Sequence, residues 1–272
     1  SDSSSDRTDA ICAGLSTEYG NVKCLRMKER RGKAAALNAA VKEAKGEIIV
    51  FSDANSMYRE DAVSNLVRNF VDPSVGYATG HMVYMKRDGT LTEEGCSSYM
   101  KYENFIRRAE SSVSSVVGVN GGIDAVRRSL YEEIREDLIS DFVIPLMVVK
   151  KGYRVVYDPQ AVLEEDAHSD SEKEARMRVR VIVRALHALV HMRGLFNFIK
   201  YPLFAYQMFF HKLLRYLMPL LLMAFLALNA ALAAKGGIYP YVLVGQSIFY
   251  ASAIAGYYQQ RLNKTNKFLY IP

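Results

Sequence analysis

Four short patterns carry residue types suited to holding a phosphate-rich ligand and moving a proton, and each falls where a secondary-structure element should begin or end. Asp2-Ser3-Ser4-Ser5-Asp6-Arg7-Thr8 is an acidic, hydroxyl-rich turn ahead of a helix. Its side chains can hydrogen-bond a base and a ribose, and the helix start adds free N–H donors. Taken alone, the same turn is an ordinary helix cap. Gly32-Lys33, heading the run Lys33-Ala34-Ala35-Ala36-Leu37-Asn38, brings an ammonium and open backbone donors to a place where a diphosphate could sit. It lacks the upstream glycine of a Walker loop. Asp53-Ala54-Asn55 offers a carboxylate and a second oxygen, the donors that Mg²⁺ or Mn²⁺ prefers alongside substrate phosphates. Asp141, in Ile139-Ser140-Asp141, is a carboxylate able to take a proton from an attacking hydroxyl, or else a simple cap.

These side chains need a scaffold, and the hydrophobic pattern supplies one. Ile48-Ile49-Val50-Phe51 is an uninterrupted apolar run of the kind found in strands buried on both faces of a parallel sheet. Asp53 follows it directly, and open α/β sheets gather ligands at the carboxyl ends of their strands. Helices are expected over residues 6–16, 33–45 (stopped by Gly46), 59–71, 92–110 and 141–150. Strands are expected over 22–27, 75–85 and 154–157, with a glycine cluster at Gly118, Gly121 and Gly122. The alternation predicts an α/β fold with a mostly parallel sheet.

The 272 residues are half hydrophobic, carry a formal net charge of +6 and contain no Trp. Much of the positive excess lies at Arg176, Arg178, Arg180, Arg184, Arg193 and Lys200, just before an apolar C-terminal region, which reads as a cytoplasmic flank beside a membrane. No nucleic-acid-binding module is recognisable. Cys12, Cys24 and Cys96 are odd in number and lack metal-ligand spacing, so neither a disulfide framework nor a zinc site is indicated. Residues 195–212 mix aromatics with basic groups and predict an amphipathic interfacial helix. Residues 216–234 carry no charge, and about 20 apolar residues suffice to span a bilayer. Lys235-Gly236-Gly237 makes a turn, residues 238–258 form a second candidate span, and Arg261, Lys264 and Lys267 follow. The basic flanks place both outer ends in the cytoplasm. A helical hairpin buried in a soluble domain fits the same pattern.

In their order, these patterns resemble family 2 glycosyltransferases with the GT-A fold. They are nearest to membrane-bound bacterial enzymes similar to cellulose, hyaluronan and poly-N-acetylglucosamine synthases. Besides the four patterns, Gly118-Val119-Asn120-Gly121-Gly122, followed by Ala125 and Arg127-Arg128, matches the family's glycine-rich motif. The resemblance implies a Rossmann-like GT-A domain over residues 1–194, its first strand expected upstream of Ser1. It also implies an interfacial segment at 195–212 and a transmembrane helical hairpin with a cytoplasmic tail at 213–272. By the same likeness, Asp2 meets the uracil of a UDP-sugar, Lys33 lies near the nucleotide, and Asp53 contacts donor and diphosphate. Asp53 and Asn55 then hold Mg²⁺ or Mn²⁺, and Gly118, Asn120, Gly121 and Gly122 line the acceptor pocket. Asp141 is the general base, and Arg176 and Arg178 steady the diphosphate. The implied activity is inverting transfer to a lipid-linked or polysaccharide hydroxyl at the cytoplasmic face of the inner membrane, with lipids as further partners. The alternative is a catalytically weakened nucleotide-binding membrane protein. Departures from the family pattern are Asn55 for the second Asp, Ser140 for Glu, Ala175 for Gln and Val179 for Trp.

Overall fold

The computed structural model of the chain describes residues 1–85, 98–166 and 171–261. Its elements in order are α1 (Thr8–Glu18), α2 (Lys33–Glu43), β1 (Ile48–Ser52), β2 (Ser56–Tyr58), α3 (Ala62–Arg68), β3 (Val75–Met85), α4 (Ser98–Val113), β4 (Ile123–Arg127), α5 (Ser140–Lys150), β5 (Arg154–Asp166), α6 (Ser171–His191), α7 (Pro202–Gln207), α8 (Leu214–Ala233) and α9 (Tyr239–Arg261). They fall into two compact units, Ser1–Leu213 and Leu214–Pro272.

In the first unit the strands form one sheet in the order β1-β4-β3-β5-β2. The expected mostly parallel sheet is not what forms: β1/β4, β3/β4 and β2/β5 are antiparallel, and only β3/β5 is parallel. An apolar run reports burial on both faces, and such burial also occurs in a mixed sheet, so Ile48–Phe51 could not disclose the direction of its neighbour. β4 inserts antiparallel between β1 and β3. The charged Asp124 within the short run Ile123-Asp124-Ala125-Val126 obscures it as a strand in the sequence. β5 runs well past the expected residue 157, with irregular register against β3.

Residues 22–27 form no strand. They are tied to the N-terminus, where the Ser1 amine donates to Leu25 O (2.7 Å) and Met27 N–H to Ser1 O (2.9 Å), and to α1, where Arg26 pairs with Asp9 (2.9 Å). The core lies where Ala62, Leu66 and Phe70 pack on Val75, Ala78, Ile123, Ala125, Val156, Ala161 and Leu163. On α5, Val143, Leu146 and Val148 are wholly buried, and the helix packs on β3 and β5.

Residues 195–212 do not make one amphipathic helix. A 3₁₀ turn over Arg193–Phe196 is followed by α7 and then by a π-helical turn over Met208–Leu213. The break is local: Asn197 Oδ1 accepts the N–H groups of Ile199 (2.9 Å) and Lys200 (3.0 Å), an Asx-type turn, and Pro202 starts α7. In the second unit α8 and α9 pack together. Asn229 Nδ2 donates to Gln246 Oε1 (3.1 Å), and Gln246 Nε2 donates to Tyr250 Oη (2.9 Å). Among the described residues one helix, Pro202–Ala233, is long and apolar enough to cross a membrane.

The core assignment makes Leu66, fully buried in α3, a sensitive position. Leu66→Ala should lose about 2–5 kcal/mol of stability, seen as a fall of several degrees in the unfolding midpoint of the detergent-solubilised protein. An unchanged midpoint would remove α3 from the core.

Candidate active site

The site is assembled at the carboxyl end of β1. There Lys33, the first residue of α2, extends its ammonium between two carboxylates. Lys33 Nζ lies 2.7 Å from Asp53 Oδ1 and 3.2 Å from Asp141 Oδ1. Lys33 and Asp141, 108 residues apart in the chain, thus meet in one contact. The three side chains are 44%, 41% and 35% exposed, so the contact opens to solvent. Burial alone would lower the Lys33 pKa, but the charge of Asp141 and the hydrogen bond and charge of Asp53 outweigh it, and the pKa rises. Ser140 Oγ donates to Asp141 Oδ1 (2.9 Å), and Asp141 sits in the first turn of α5, where the helix N-terminus favours a negative charge.

Asp2 belongs to the same corner through the backbone. Its two carboxylate oxygens accept the N–H groups of Arg31 (2.8 Å) and Gly32 (2.7 Å), immediately before Lys33. The Arg31 amide bond is the leading reason that the Asp2 pKa is lowered. Both oxygens are therefore engaged with α2's start rather than turned to an open cleft.

The glycine-rich loop separates the two acidic walls. Gly121 and Gly122 have φ of +66° and +70°, a region L side chains rarely adopt. A Cβ on Gly121 would come within 2.8 Å of Asp141, and one on Gly122 within 3.0 Å of Ser56 Oγ and 3.7 Å of Asp53. The absence of side chains here is what lets the loop pass between Asp53 and Asp141. Tyr58 Oη, 2.7 Å from Phe51 O and 2.6 Å from Gly122 O, secures the loop to β1. Asn120 faces the sheet, its Nδ2 donating to Gly80 O (2.5 Å). Arg127 and Arg128 have backbone duties: Arg127 donates to Val75 O and Phe70 O, both at 2.7 Å.

Asp53, the neighbouring Asn55 and the buried Ser56 Oγ, which lacks a hydrogen-bond partner, form an all-oxygen corner suited to a hard divalent cation with substrate phosphates completing its shell. Asn55 is less suited than Asp, and its amide nitrogen here contacts Glu165. Among the described residues no group of three or more His, Cys, Asp or Glu side chains is arranged to hold a metal by itself. The corner therefore fits a cation only together with a phosphate-bearing ligand. Arg176 and Arg178 lie on α6, but their side chains fall outside the described residues, as does His168.

Sequence reasoning missed Asp124. It is 1% exposed on β4, bonded to Thr79 and Tyr77, with Oδ1 unpartnered. Burial, reinforced by the charge of Asp141, pushes its pKa up from 3.8 to about 7. A single Asp within an apolar run following the glycines was the available signal.

Residues 1–135 match the sequence profile of glycosyl transferase family 2. The chain carries a family 2 glycosyltransferase domain. Over 166 residues it is 26% identical to the poly-beta-1,6-N-acetyl-D-glucosamine synthase of Staphylococcus aureus, a stretch covering 59% of this chain and 40% of that protein. The synthase of the same name from Staphylococcus epidermidis is 24% identical over the same length. The chain thus spans well under half the length of the curated relatives it matches. In three dimensions it is similar to a mannosyltransferase from Pyrobaculum calidifontis solved with GDP-Man and Mn²⁺ (TM-score 0.56, 23% identity, 93% of this chain and 75% of that one). This likeness establishes the GT-A-like mixed α/β architecture of the glycosyltransferase domain.

The buried acid beneath the candidate site has a definite pH signature. A raised folded pKa contributes stability that is fully present below the unfolded value of 3.8 and is lost as pH rises through about 7. Thermal unfolding of Asp124→Asn against the parent should therefore show a midpoint difference that moves in the variant's favour from about pH 4 to pH 7 and then levels off. A difference constant over this range would mean that Asp124 is not the buried proton carrier.

Proposed function

We propose that the protein is an inverting glycosyltransferase that moves a sugar from a UDP-sugar to a hydroxyl of a lipid-linked or polysaccharide acceptor at the cytoplasmic membrane face. The observation carrying this reading is the convergence of Asp53 and Asp141 on Lys33 at the end of β1, flanked by the two positive-φ glycines. The family supports glycosyl transfer. The relatives are poly-beta-1,6-N-acetyl-D-glucosamine synthases, which makes UDP-N-acetylglucosamine the first donor to try and a growing glycan the first acceptor.

In this reading the acceptor hydroxyl approaches over the 118–122 loop and Asp141 takes its proton. The acceptor oxygen then forms the new bond to the anomeric carbon on the face opposite the diphosphate, while the old carbon–oxygen bond breaks and its electron pair leaves with UDP. One displacement inverts the anomeric centre. Lys33 has two roles. Without donor it offsets part of the charge of Asp53 and Asp141, and with donor its ammonium is attracted to the diphosphate, leaving Asp141 free to act as base. Asp2 holds the start of α2 so that Lys33 points correctly, and Arg176 and Arg178 add positive charge for the leaving group. A divalent cation held by Asp53 and Asn55 would supply Lewis-acid neutralisation of the diphosphate.

Membrane attachment is part of the proposal. The helix Pro202–Ala233 is a candidate span. Just before it and along its first turns, Phe198, Ile199, Leu203, Tyr206 and Phe210 are exposed beside Lys200, an apolar surface with a basic rim suited to the lipid interface. The domain limits 1–194, 195–212 and 213–272 follow this reading, with α8 and α9 as the hairpin in the membrane.

The test uses the full-length protein in membranes with UDP-N-acetylglucosamine, UDP-glucose and GDP-mannose, with and without Mn²⁺, scoring nucleotide release and glycan product. Release with one donor and product of inverted configuration is expected. Asp141→Asn should retain UDP binding within about twofold while transfer falls by 10²-fold or more, the range of a lost general base. Near-parental turnover in that variant removes Asp141 from the mechanism, and no release with any donor favours the weakened nucleotide-binding protein.

A further inference from the structure

Behind the 118–122 loop lies a second group of ionisable side chains that the transfer reaction does not use. Along α4, Glu103, Arg107 and Glu110 fall at helical spacings of four and three, one inward stripe. Their side chains, with that of His211 from the π-helical turn, are each 10% exposed or less. Buried charges persist only with partners, and these partners are specific. His211 Nδ1 is 2.7 Å from Glu110 Oε1, and its Nε2 is 3.3 Å from Glu103 Oε2. Glu110 Oε2 accepts the Val117 N–H (3.1 Å), and Arg107 Nε donates to Gly118 O (3.1 Å). Arg107 in turn lies 4.0 Å from Glu103. Lys212 packs against Gly118 so tightly that a Cβ there would collide with its ammonium.

Glu103 and Glu110 face Arg107, Lys212 and His211, so both acids already have basic partners and the group offers no site for an external cation. What it holds is backbone: two consecutive residues, Val117 and Gly118, at the start of the loop whose Gly121 abuts Asp141. A purely apolar contact could join the same elements without the desolvation penalty, but it would not set hydrogen-bond register at a chosen peptide. A π turn, common at functional sites, presents His211 and Lys212 in succession toward α4 and the loop.

We infer that His211 is a positioning residue for acceptor use: bonded to Glu103 and Glu110, it fixes the Val117–Gly118 end of the loop and thereby the path by which the acceptor hydroxyl reaches Asp141. The inference rests on the proposed reading of residues 118–122 as the acceptor wall. Loosening the network leaves the Lys33–Asp53 side of the cleft in place. The acceptor then loses its alignment while water still reaches the donor.

The experiment uses full-length protein in its native membranes with UDP-N-acetylglucosamine, comparing the parent with His211→Gln and Glu110→Gln. Two quantities are read: the ratio of sugar in glycan product to free sugar released by water, and hydrogen exchange of the 117–122 amides. Both variants should shift the ratio toward free sugar by about tenfold, with donor KM within twofold of the parent and loop exchange at least tenfold faster. Unchanged ratios overturn the inference, as does a donor KM that moves as much as the ratio. Failure of both variants to accumulate folded also overturns it, since the network would then serve folding alone. Asn120→Ala separates this outcome from the underlying reading. If Asn120→Ala shifts the ratio and the network variants do not, only the role of His211 fails. If no variant shifts it, including Asn120→Ala, or if the parent releases no nucleotide, the acceptor-wall reading fails with it.

Discussion

One ammonium between two carboxylates is the contact on which the cleft depends. Asp53 and Asp141 come from separate elements, and without Lys33 their like charges would push the end of β1 away from the start of α5. The contact contributes little to folding. Each group is more than a third exposed, and such pairs are worth about 0–1 kcal/mol. A bridge this weak holds geometry while remaining exchangeable, as the proposed mechanism requires of Lys33. The fold is held elsewhere, by the α3 side chains packed on β3, β4 and β5.

The electrostatics around that bridge are graded by depth. Asp2 is half-buried and fixed by two backbone amides. Asp53 and Asp141 are half-buried on the shared lysine. Asp124, wholly buried beneath them on β4, retains its proton to near pH 7. Three acids close to one cleft could not all carry a full charge at low cost, and the structure resolves this by giving two of them a cation and leaving the third largely protonated below neutrality. The glycines make the arrangement possible, since any Cβ at Gly121 would occupy the space beside Asp141.

The C-terminal end of the first unit is linked to this cleft by chemistry of a different kind. Arg107 donates to Gly118 O, and Glu110, itself bonded to His211, accepts the Val117 N–H at the start of the loop that passes between Asp53 and Asp141. The loop is thus gripped at its two ends, by Glu110 and Arg107 at Val117 and Gly118, and by Tyr58 at Gly122. Such directional contacts specify position more sharply than apolar packing of equal area, at the cost of desolvating the groups involved.

Much that is local was legible in the residues themselves. The start of α2 at Gly32-Lys33, the apolar run of β1 with Asp53 just beyond it, and α5 opening at Ser140-Asp141 all follow from periodicity, caps and glycine stops. Those signals act within a few residues, so they also placed the candidate site residues at the ends of the right elements. Strand direction, by contrast, leaves no local trace: burial on both faces looks the same whether the neighbour is parallel or antiparallel, so the insertion of β4 was decided only by the packed sheet. The same holds for Lys33 meeting Asp141 and His211 meeting Glu103, pairs each 108 residues apart. A side chain's type limits which partners it accepts, but the distance to them is set by crossovers of the whole chain, and those exist only in the tertiary structure.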